Sequence, residues 1–223
     1  AASGTYTSNI TGLTPGTLYY VRSYATNSVG TSYGAQTSFT TLDIPTISST
    51  TAASSISSSS AVSGGTISAD GGDAVTTRGI VYGTSAGSST YSVTSGSGTG
   101  IFTSNLTGLT PATTYYVRSF ATNSVGTVYG IEISFTSLAI APTLTTTAVS
   151  SITKYAASAG GTITSNGGSV ITASGICWST TATPTISDSK TTDGTTSGTF
   201  TSSLTSLTAG TTYYVRSYAT NAI

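Results

Sequence analysis

The sequence predicts an all-β chain made of tandem β-sandwich domains, and three observations lead to that class. The chain has no Met and only six Lys and Arg together, so strong helix formers are scarce. Tyr, Thr and Val dominate where apolar and polar residues alternate, which is typical of strands. One stretch rich in aromatic and β-branched residues recurs at intervals of about 100 residues, the size of a small β-sandwich domain.

The repeated stretch begins in the same way three times. It reads LTPGTLYYVRSYATNSVG at residues 13–30, LTPATTYYVRSFATNSVG at 109–126 and LTAGTTYYVRSYATN at 207–221. Its equivalent tyrosines are 96 and 98 residues apart. Because solenoid units are about 20 to 50 residues long, we interpret this spacing as a succession of whole domains.

The repeats predict three segments. Residues 1–42 hold the back half of a domain, residues 43–138 a complete domain, and residues 139–223 a domain without its last strand. Pro45 and Pro142 mark the short joints, where proline stops a strand from running on. We expect either that the chain is a section of a longer protein or that another chain supplies the missing strand.

The complete segment predicts seven strands with turns between them, the pattern of a β-sandwich. We place them at residues 45–52, 60–69, 77–83, 88–95, 100–107, 113–123 and 127–136. The third segment repeats this plan, since Gly160-Gly161 matches Gly64-Gly65 and SGICW at 174–178 matches RGIVY at 78–82. In the first segment, residues 4–10 alternate and suggest a further strand.

A strand with period two gives the repeated stretch two faces. Tyr115, Val117 and Ala121 point inward, and a set of aromatic residues flanking an arginine points outward. We call the outward set of all three repeats the aromatic–arginine strip: Tyr20, Arg22, Tyr24, Tyr116, Arg118, Phe120, Tyr214, Arg216 and Tyr218. The arginine can stack on its flanking rings, worth about 0.5 to 1 kcal/mol when exposed. The strip either stiffens its own sheet or binds sugar rings or a neighbouring filament.

The chain has few residues that could carry out catalytic chemistry. The chain has no His, one Cys and six carboxylates, so no catalytic triad or zinc site can be written. We therefore predict no enzyme activity, no cofactor and no metal. Cys177 is interpreted as a small buried core residue.

The carboxylates that lie near each other in sequence are candidates for calcium ligands. Asp70 and Asp73 correspond to Asn166 and Ser169 in the next segment, a change that favours turn chemistry over metal binding. We interpret Asp188 and Asp193 in the same way.

Charge and hydropathy limit the kinds of partner that the chain can have. Charged residues make up 5% of the chain and the formal net charge is zero, which predicts no nucleic-acid partner. No run of about 20 apolar residues occurs, so we predict no membrane insertion in this segment. Neighbouring modules of the same chain are the expected partners, with surface glycans or other filament proteins as further candidates.

The pattern Leu-x-Pro-x-Thr-x-Tyr-x-Val, followed by Asn-x-x-Gly, resembles the fibronectin type III domain, which has the immunoglobulin-like sandwich fold. The resemblance implies that Tyr19, Tyr115 and Tyr213 form a tyrosine corner, in which the hydroxyl bonds back to the preceding turn. The family's early-strand tryptophan is absent, and we expect Trp178 and Tyr82 to fill that volume.

The strands GIVYG, GICWS and YYVRSYATN resemble more narrowly the tandem modules of large secreted proteins of the Bacteroidota. These include cell-surface adhesins, some of them gliding adhesins exported by the type IX system. The resemblance implies an extracellular or cell-surface location. The expected function is a structural stalk or spacer, and the alternatives are a carbohydrate- or partner-binding adhesive module and an accessory linker of a secreted hydrolase.

Overall fold

The computed structural model describes residues 4–223, which form strands, turns and loops without any helix. The predicted all-β class is confirmed. None of the described residues therefore belongs to a helix long and apolar enough to cross a membrane. The chain divides into two compact units. The first unit contains the described part of Ala1–Ser55, Ala61–Leu106 and Tyr115–Phe135, and the second contains Ile56–Ser60, Thr107–Thr114 and Thr136–Ile223.

The first unit begins with four short strands in two antiparallel ladders. They are β1 Leu18–Val21, β2 Tyr24–Thr26, β3 Thr31–Tyr33 and β4 Thr37–Thr40, with β1 paired to β4 and β2 to β3. The strand expected at residues 4–10 is not formed. Its counterpart at Gly100–Thr107 pairs with Ser60–Ala69, and residues 4–17 contain no such partner strand.

The rest of the first unit contains two antiparallel sheets. Its strands are β5 Thr46–Ser54, β6 Ser60–Ala69, β7 Thr77–Gly83, β8 Tyr91–Thr94, β9 Gly100–Thr107, β10 Thr114–Thr122, β11 Thr127–Tyr129 and β12 Ile133–Thr136. One sheet has the order β5-β6-β9, and the other the order β11-β10-β7-β8, with β12 also paired to β10. The strand predicted at residues 127–136 is split in two. Gly130 lies at the break and donates its N–H to the Ser119 carbonyl at 2.8 Å.

Burial along β10 alternates residue by residue, as period two predicts. Tyr115, Val117 and Ala121 are buried, while Tyr116, Arg118 and Phe120 are half-buried on the other face. Facing sheets with one buried side each are consistent with a β-sandwich.

The second unit also has two antiparallel sheets. Its strands are β13 Thr143–Ser150, β14 Ala157–Ser165, β15 Ile171–Ser179, β16 Ser189–Lys190, β17 Gly198–Leu204 and β18 Tyr214–Asn221. The sheet orders are β13-β14-β17 and β16-β15-β18. Ala159, Ile176 and Leu204 form the centre of its core. Trp178, which lies on the third strand of its segment, packs against this cluster.

A polar cross-link joins the two sheets inside each unit. In the second unit, Thr146 Oγ1 lies 2.9 Å from Ser217 Oγ and accepts the Ser217 N–H at 3.0 Å. In the first unit, Thr50 and Ser119 make the same pair of contacts at 3.0 and 3.1 Å. The approach needs glycine, because a Cβ on Gly161 would lie 2.7 Å from Ser217 Cβ. These small residues set the distance between the sheets.

The aromatic–arginine strip as candidate functional site

In the middle repeat the strip lies on the outer face of β10. Phe120 pairs with Gly79 of β7, and its ring lies over that glycine, where an added Cβ would be 2.9 Å from Phe120 Cε1. Tyr116 pairs with Gly83 in the same ladder. The Phe120 ring thus covers strand backbone that has no side chain of its own, whereas Ser88 and Thr90 lie over Gly83.

Arg118 is held by contacts within its own unit. Its Nη2 donates to the Gly87 carbonyl at 3.2 Å and to Ser89 Oγ at 3.0 Å. Its guanidinium carbon lies 4.4 Å from the centre of the Tyr129 ring. Within the described residues, the buried Nε has no hydrogen-bond partner. The guanidinium therefore contacts an aromatic ring with one face and hydrogen-bonds to a loop at one end.

The stacking partner differs from the one that the sequence suggested. We expected Arg118 to stack on Tyr116 and Phe120, but the ring beneath it is Tyr129 of β11. Residues two apart on one strand are separated by about 6.6 Å and point in the same direction, whereas residues on paired strands lie closer. Since β11 pairs Tyr129 with Phe120, Tyr129 comes within reach of the arginine.

The first repeat shows the same arrangement with more exposure. Arg22 lies over the Tyr33 ring at 4.1 Å, and Tyr33 is the cross-strand partner of Tyr24. Tyr20 and Tyr24 are 65% and 66% exposed. Again the ring under the arginine belongs to the returning strand and not to the arginine's own strand.

In the third repeat a loop contacts the strip. The Tyr218 hydroxyl donates to the Thr191 carbonyl at 2.6 Å and lies 3.4 Å from Thr192 Oγ1. Tyr214 is exposed, and Arg216 lies between these two tyrosines on β18. In all three repeats the strip residues thus lie on the more exposed face of the repeated stretch, but each strip has a different covering.

The three corner tyrosines lie on the opposite, less exposed face of the repeated stretch. The Tyr19 hydroxyl accepts the Thr14 N–H at 2.9 Å, and the Tyr213 hydroxyl accepts the Thr208 N–H at 3.1 Å. These backbone bonds favour the phenolate and lower the pKa of both tyrosines. Tyr115 is buried and stacks on Phe135, with ring centres 5.8 Å apart.

The Asp70 turn has the same chemistry as its counterpart in the second unit. Asp70 Oδ1 accepts the Gly72 N–H at 2.9 Å, and Asn166 Oδ1 accepts the Gly168 N–H at the same distance. A carboxylate and an amide oxygen are interchangeable in this role. Asp70 therefore acts as a turn residue in the structure.

Asp73 also bonds to backbone. Its Oδ2 accepts the Ser124 N–H at 2.9 Å, and this bond is the main cause of the lowered pKa of the Asp73 carboxyl. A carboxyl with a lowered folded-state pKa contributes stability above its ordinary pKa of 3.8, and this contribution disappears as the pH falls through the folded value.

Asp73→Asn should therefore remove a pH dependence. At pH 7 we expect the wild type to be the more stable protein, because its charged carboxylate accepts the Ser124 N–H. The difference should shrink as the pH falls below about 3.8 and should vanish below the folded-state pKa. Thermal midpoints of both proteins from pH 7 to pH 2 measure it. A difference that stays constant over that range would contradict the assignment.

The other candidate carboxylates are engaged separately. Asp188 Oδ2 accepts the Thr185 N–H at 2.8 Å, and Asp193 Oδ2 accepts hydroxyl bonds from Thr191, at 2.8 Å, and from Ser202. Among residues 4–223, no three His, Cys, Asp or Glu side chains are grouped in a way that could hold a metal ion.

Cys177 is buried in the second unit, which confirms its interpretation as a core residue. Its thiol donates to the Arg216 carbonyl at 3.3 Å and lies 3.5 Å from the Pro184 carbonyl. Burial raises the pKa of the Cys177 thiol, so the protonated form is favoured at neutral pH. The side chain packs as a small apolar group.

Asn123 has a structural role that the sequence pattern around it does not indicate. Its amide nitrogen donates to the carbonyls of Asp43, at 2.7 Å, and Asp70, at 2.9 Å. Its Oδ1 accepts the N–H groups of Val125 and Gly126 at 3.0 and 3.1 Å.

The repeats contain a pattern that indicates this role of Asn123. Asn221 occupies the matching position and donates to Ile140 O at 2.7 Å and Asn166 O at 2.9 Å. In each unit the asparagine thus connects the strand end to the first residues of the segment and to a tight turn.

No protein-family model matches the chain, and a search among curated proteins likewise finds no match.

Proposed function

We propose that the chain is a structural repeat segment, a stalk or spacer, of a long extracellular surface fibre or adhesin. Its modules are tandem seven-stranded fibronectin type III-like sandwiches, divided at residues 1–42, 43–138 and 139–223. The observation that carries the proposal is the engagement of Arg118. Among the repeated outward residues, Arg118 has the greatest capacity for recognition. It hydrogen-bonds to Gly87 and Ser89 and stacks on Tyr129, all within its own unit.

The recurrence of one strand plan supports tandem modules. The order β5-β6-β9 in the first unit matches β13-β14-β17 in the second, and β8-β7-β10 matches β16-β15-β18. The tyrosine hydroxyl bonds of Tyr19 and Tyr213 agree with the corner that the fibronectin type III resemblance implies.

The spacer function is also supported by hydrogen bonds that hold the first residues of a segment on the module that they begin. The Asp43 N–H donates to Gly71 O at 2.8 Å, and the Ile140 N–H donates to Gly167 O at 2.8 Å. The first residues of each segment are thereby fixed on the module that they begin, which suits a chain that transmits tension from module to module.

The test compares glycan binding and stability in one double variant. We expect the chain to bind no glycan specifically on an array of soluble oligosaccharides. Tyr116→Ser with Phe120→Ser should lower the thermal midpoint, because Phe120 covers Gly79. Specific glycan binding that the double variant loses while it keeps the wild-type midpoint would overturn the spacer in favour of an adhesive module.

The contribution of Arg118 to stability is a second expected result. Arg118→Met should reduce the free energy of unfolding of the first unit by about 1 to 2 kcal/mol, because it removes the ring contact and two charge-assisted bonds while keeping an apolar stem. Urea unfolding followed by tyrosine circular dichroism measures the loss. Arg118→Lys is the matched control and should lie between the two, since it keeps the charge without the planar fork. Equal stability of all three proteins would contradict the structural role.

A further inference from the structure

The turn between β14 and β15 contains the only Asn-Gly pair in the sequence, Asn166-Gly167. Asparagine followed by glycine is prone to deamidation, because glycine has no side chain to hinder the attack of its own nitrogen on the asparagine amide. The Asn166 side chain is exposed, whereas Gly167 is buried. The reacting amide is therefore open to water, which the reaction consumes.

Hydrogen bonds hold both reacting groups of this turn. Asn166 Oδ1 accepts the Gly168 N–H at 2.9 Å. Negative charge develops on this oxygen when a nucleophile adds to Asn166 Cγ, and a backbone N–H directed at such an oxygen stabilises the charge. The nucleophile is the Gly167 nitrogen, whose N–H donates to Ser165 Oγ at 3.1 Å. The turn thus supplies a donor to the developing oxyanion and an acceptor for the proton that must leave.

The matching turn of the first unit shows that an aspartate fits in this place. Residues 70–72, Asp-Gly-Gly, correspond to residues 166–168, Asn-Gly-Gly. Asp70 Oδ1 accepts the Gly72 N–H at 2.9 Å, the distance of the matching Asn166 bond. The two glycines have φ values of 77° and 83° in the first turn and of 69° and 82° in the second. One backbone conformation therefore carries either an asparagine or an aspartate.

We propose that Asn166 is a deamidation site, where the neutral turn of the second unit is converted into the acidic turn of the first. The Gly167 nitrogen attacks Asn166 Cγ and loses its proton. A succinimide forms as the Cγ–Nδ2 bond breaks, and the proton leaves with Nδ2 as ammonia. Water then adds to Cγ, the bond from Cγ to the Gly167 nitrogen breaks, and that nitrogen regains a proton. The acid formed at position 166 gives its proton to ammonia and becomes a carboxylate.

The contacts of the turn select aspartate over isoaspartate. Water that adds to the backbone carbonyl carbon of residue 166 would give isoaspartate, whose backbone is longer by one methylene group. The Asn166 carbonyl accepts the Asn221 amide at 2.9 Å, and the Gly167 carbonyl accepts the Ile140 N–H at 2.8 Å. A Cβ on Gly167 would collide with the Ile140 carbonyl oxygen, so the turn has no space in which to lengthen. Aspartate leaves this backbone unchanged.

The conversion changes the charge of a chain whose formal net charge is zero. Each event adds one negative charge on the exposed side of the turn. Because net charge near zero promotes association, this charge favours dispersal of the chains. The conversion does not depend on the stalk proposal, since it needs only the turn and water.

Peptide mapping of the whole chain tests the site. Trypsin cuts after Lys154 and Lys190, and the peptide 155–190 contains Asn166 as its single asparagine. The folded protein and the protein in guanidinium chloride are incubated at pH 8, and mass spectrometry measures the deamidated fraction and the ratio of aspartate to isoaspartate. We expect conversion in the folded protein, with an aspartate-to-isoaspartate ratio at least twofold higher than in the unfolded protein.

The peptide 119–154 is the internal control. Its single asparagine, Asn123, is buried and precedes serine, so it should stay intact while the folded protein converts at Asn166. If the folded protein shows no conversion over a period in which the unfolded protein converts, the proposal is wrong. An equal product ratio in the two samples would overturn the selection of aspartate by the turn.

Two variants of the whole chain separate the site from its product. Asn166→Gln keeps an amide but requires a six-membered ring, which closes far more slowly, so the acidic form seen by anion exchange should not accumulate. Asn166→Asp is the product itself, and it should elute with the acidic form and keep the thermal midpoint of the wild type. An acidic form that accumulates equally in Asn166→Gln, or a large fall in the midpoint of Asn166→Asp, would contradict the proposal.

Discussion

Replacing Gly161 with Ala is expected to lower the free energy of unfolding of the second unit by about 3 kcal/mol, at the upper end of the usual overpacking range. The new Cβ would lie 2.8 Å from the Thr145 carbonyl oxygen and 2.7 Å from Ser217 Cβ. The Thr145 carbonyl belongs to the backbone of a neighbouring strand, so it cannot rotate away from the new Cβ. Ser217 belongs to the hydroxyl cross-link between the sheets, which would have to separate.

Trp178 makes this loss directly measurable. It is the chain's one tryptophan and packs on the core of the second unit, so its fluorescence reports the urea unfolding of that unit. Gly194→Ala is the matched control, because a Cβ there meets no atom within 4 Å. We expect the control to be as stable as the wild type or slightly more so, since alanine restricts the unfolded chain. Equal midpoints for the two variants would show that the sheets do not need glycine at position 161.

Asn123→Ala should destabilise the first unit by about 2 to 3 kcal/mol. The asparagine is 4% exposed and satisfies four backbone groups at once. Alanine leaves these groups without their partner, and an unsatisfied buried polar group costs about 1 to 3 kcal/mol. Water entering at the turn limits the total loss. Hydrogen exchange should show faster exchange at Val125 and Gly126, and thermal unfolding followed by tyrosine circular dichroism gives the overall effect.

Asn105→Ala is the control for Asn123→Ala. Asn105 is exposed on β9, so we expect its removal to change stability by less than about 0.5 kcal/mol. Asn123→Asp distinguishes the contribution of the amide donor from that of the acceptor oxygen. Aspartate keeps the acceptor oxygen and loses the donor to Asp43 and Asp70. A stable Asn123→Asp protein would show that the bonds to these two carbonyls contribute little.

The strand positions could be predicted from sequence because they depend on local chemistry. The alternation of Tyr115, Val117 and Ala121 with polar neighbours is a property of consecutive residues, and period two follows from strand geometry. The observed β6, β7 and β9 have the predicted bounds for the same reason. Where a strand also needed a partner, the local pattern was insufficient, as residues 4–10 show.

The composition and the repeats of this sequence were enough to determine an all-β chain with inward and outward faces and a buried cysteine, because burial preference and side-chain period are properties of each residue and its neighbours. Only the tertiary structure decided that Arg118 stacks on Tyr129, that Asn123 bonds to Asp43, and that Gly161 lets Thr146 reach Ser217. The partners in these contacts come from separate strands, and their pairing depends on register and on the distance between sheets. Those quantities arise from the packing of the whole unit and are not encoded in any single stretch.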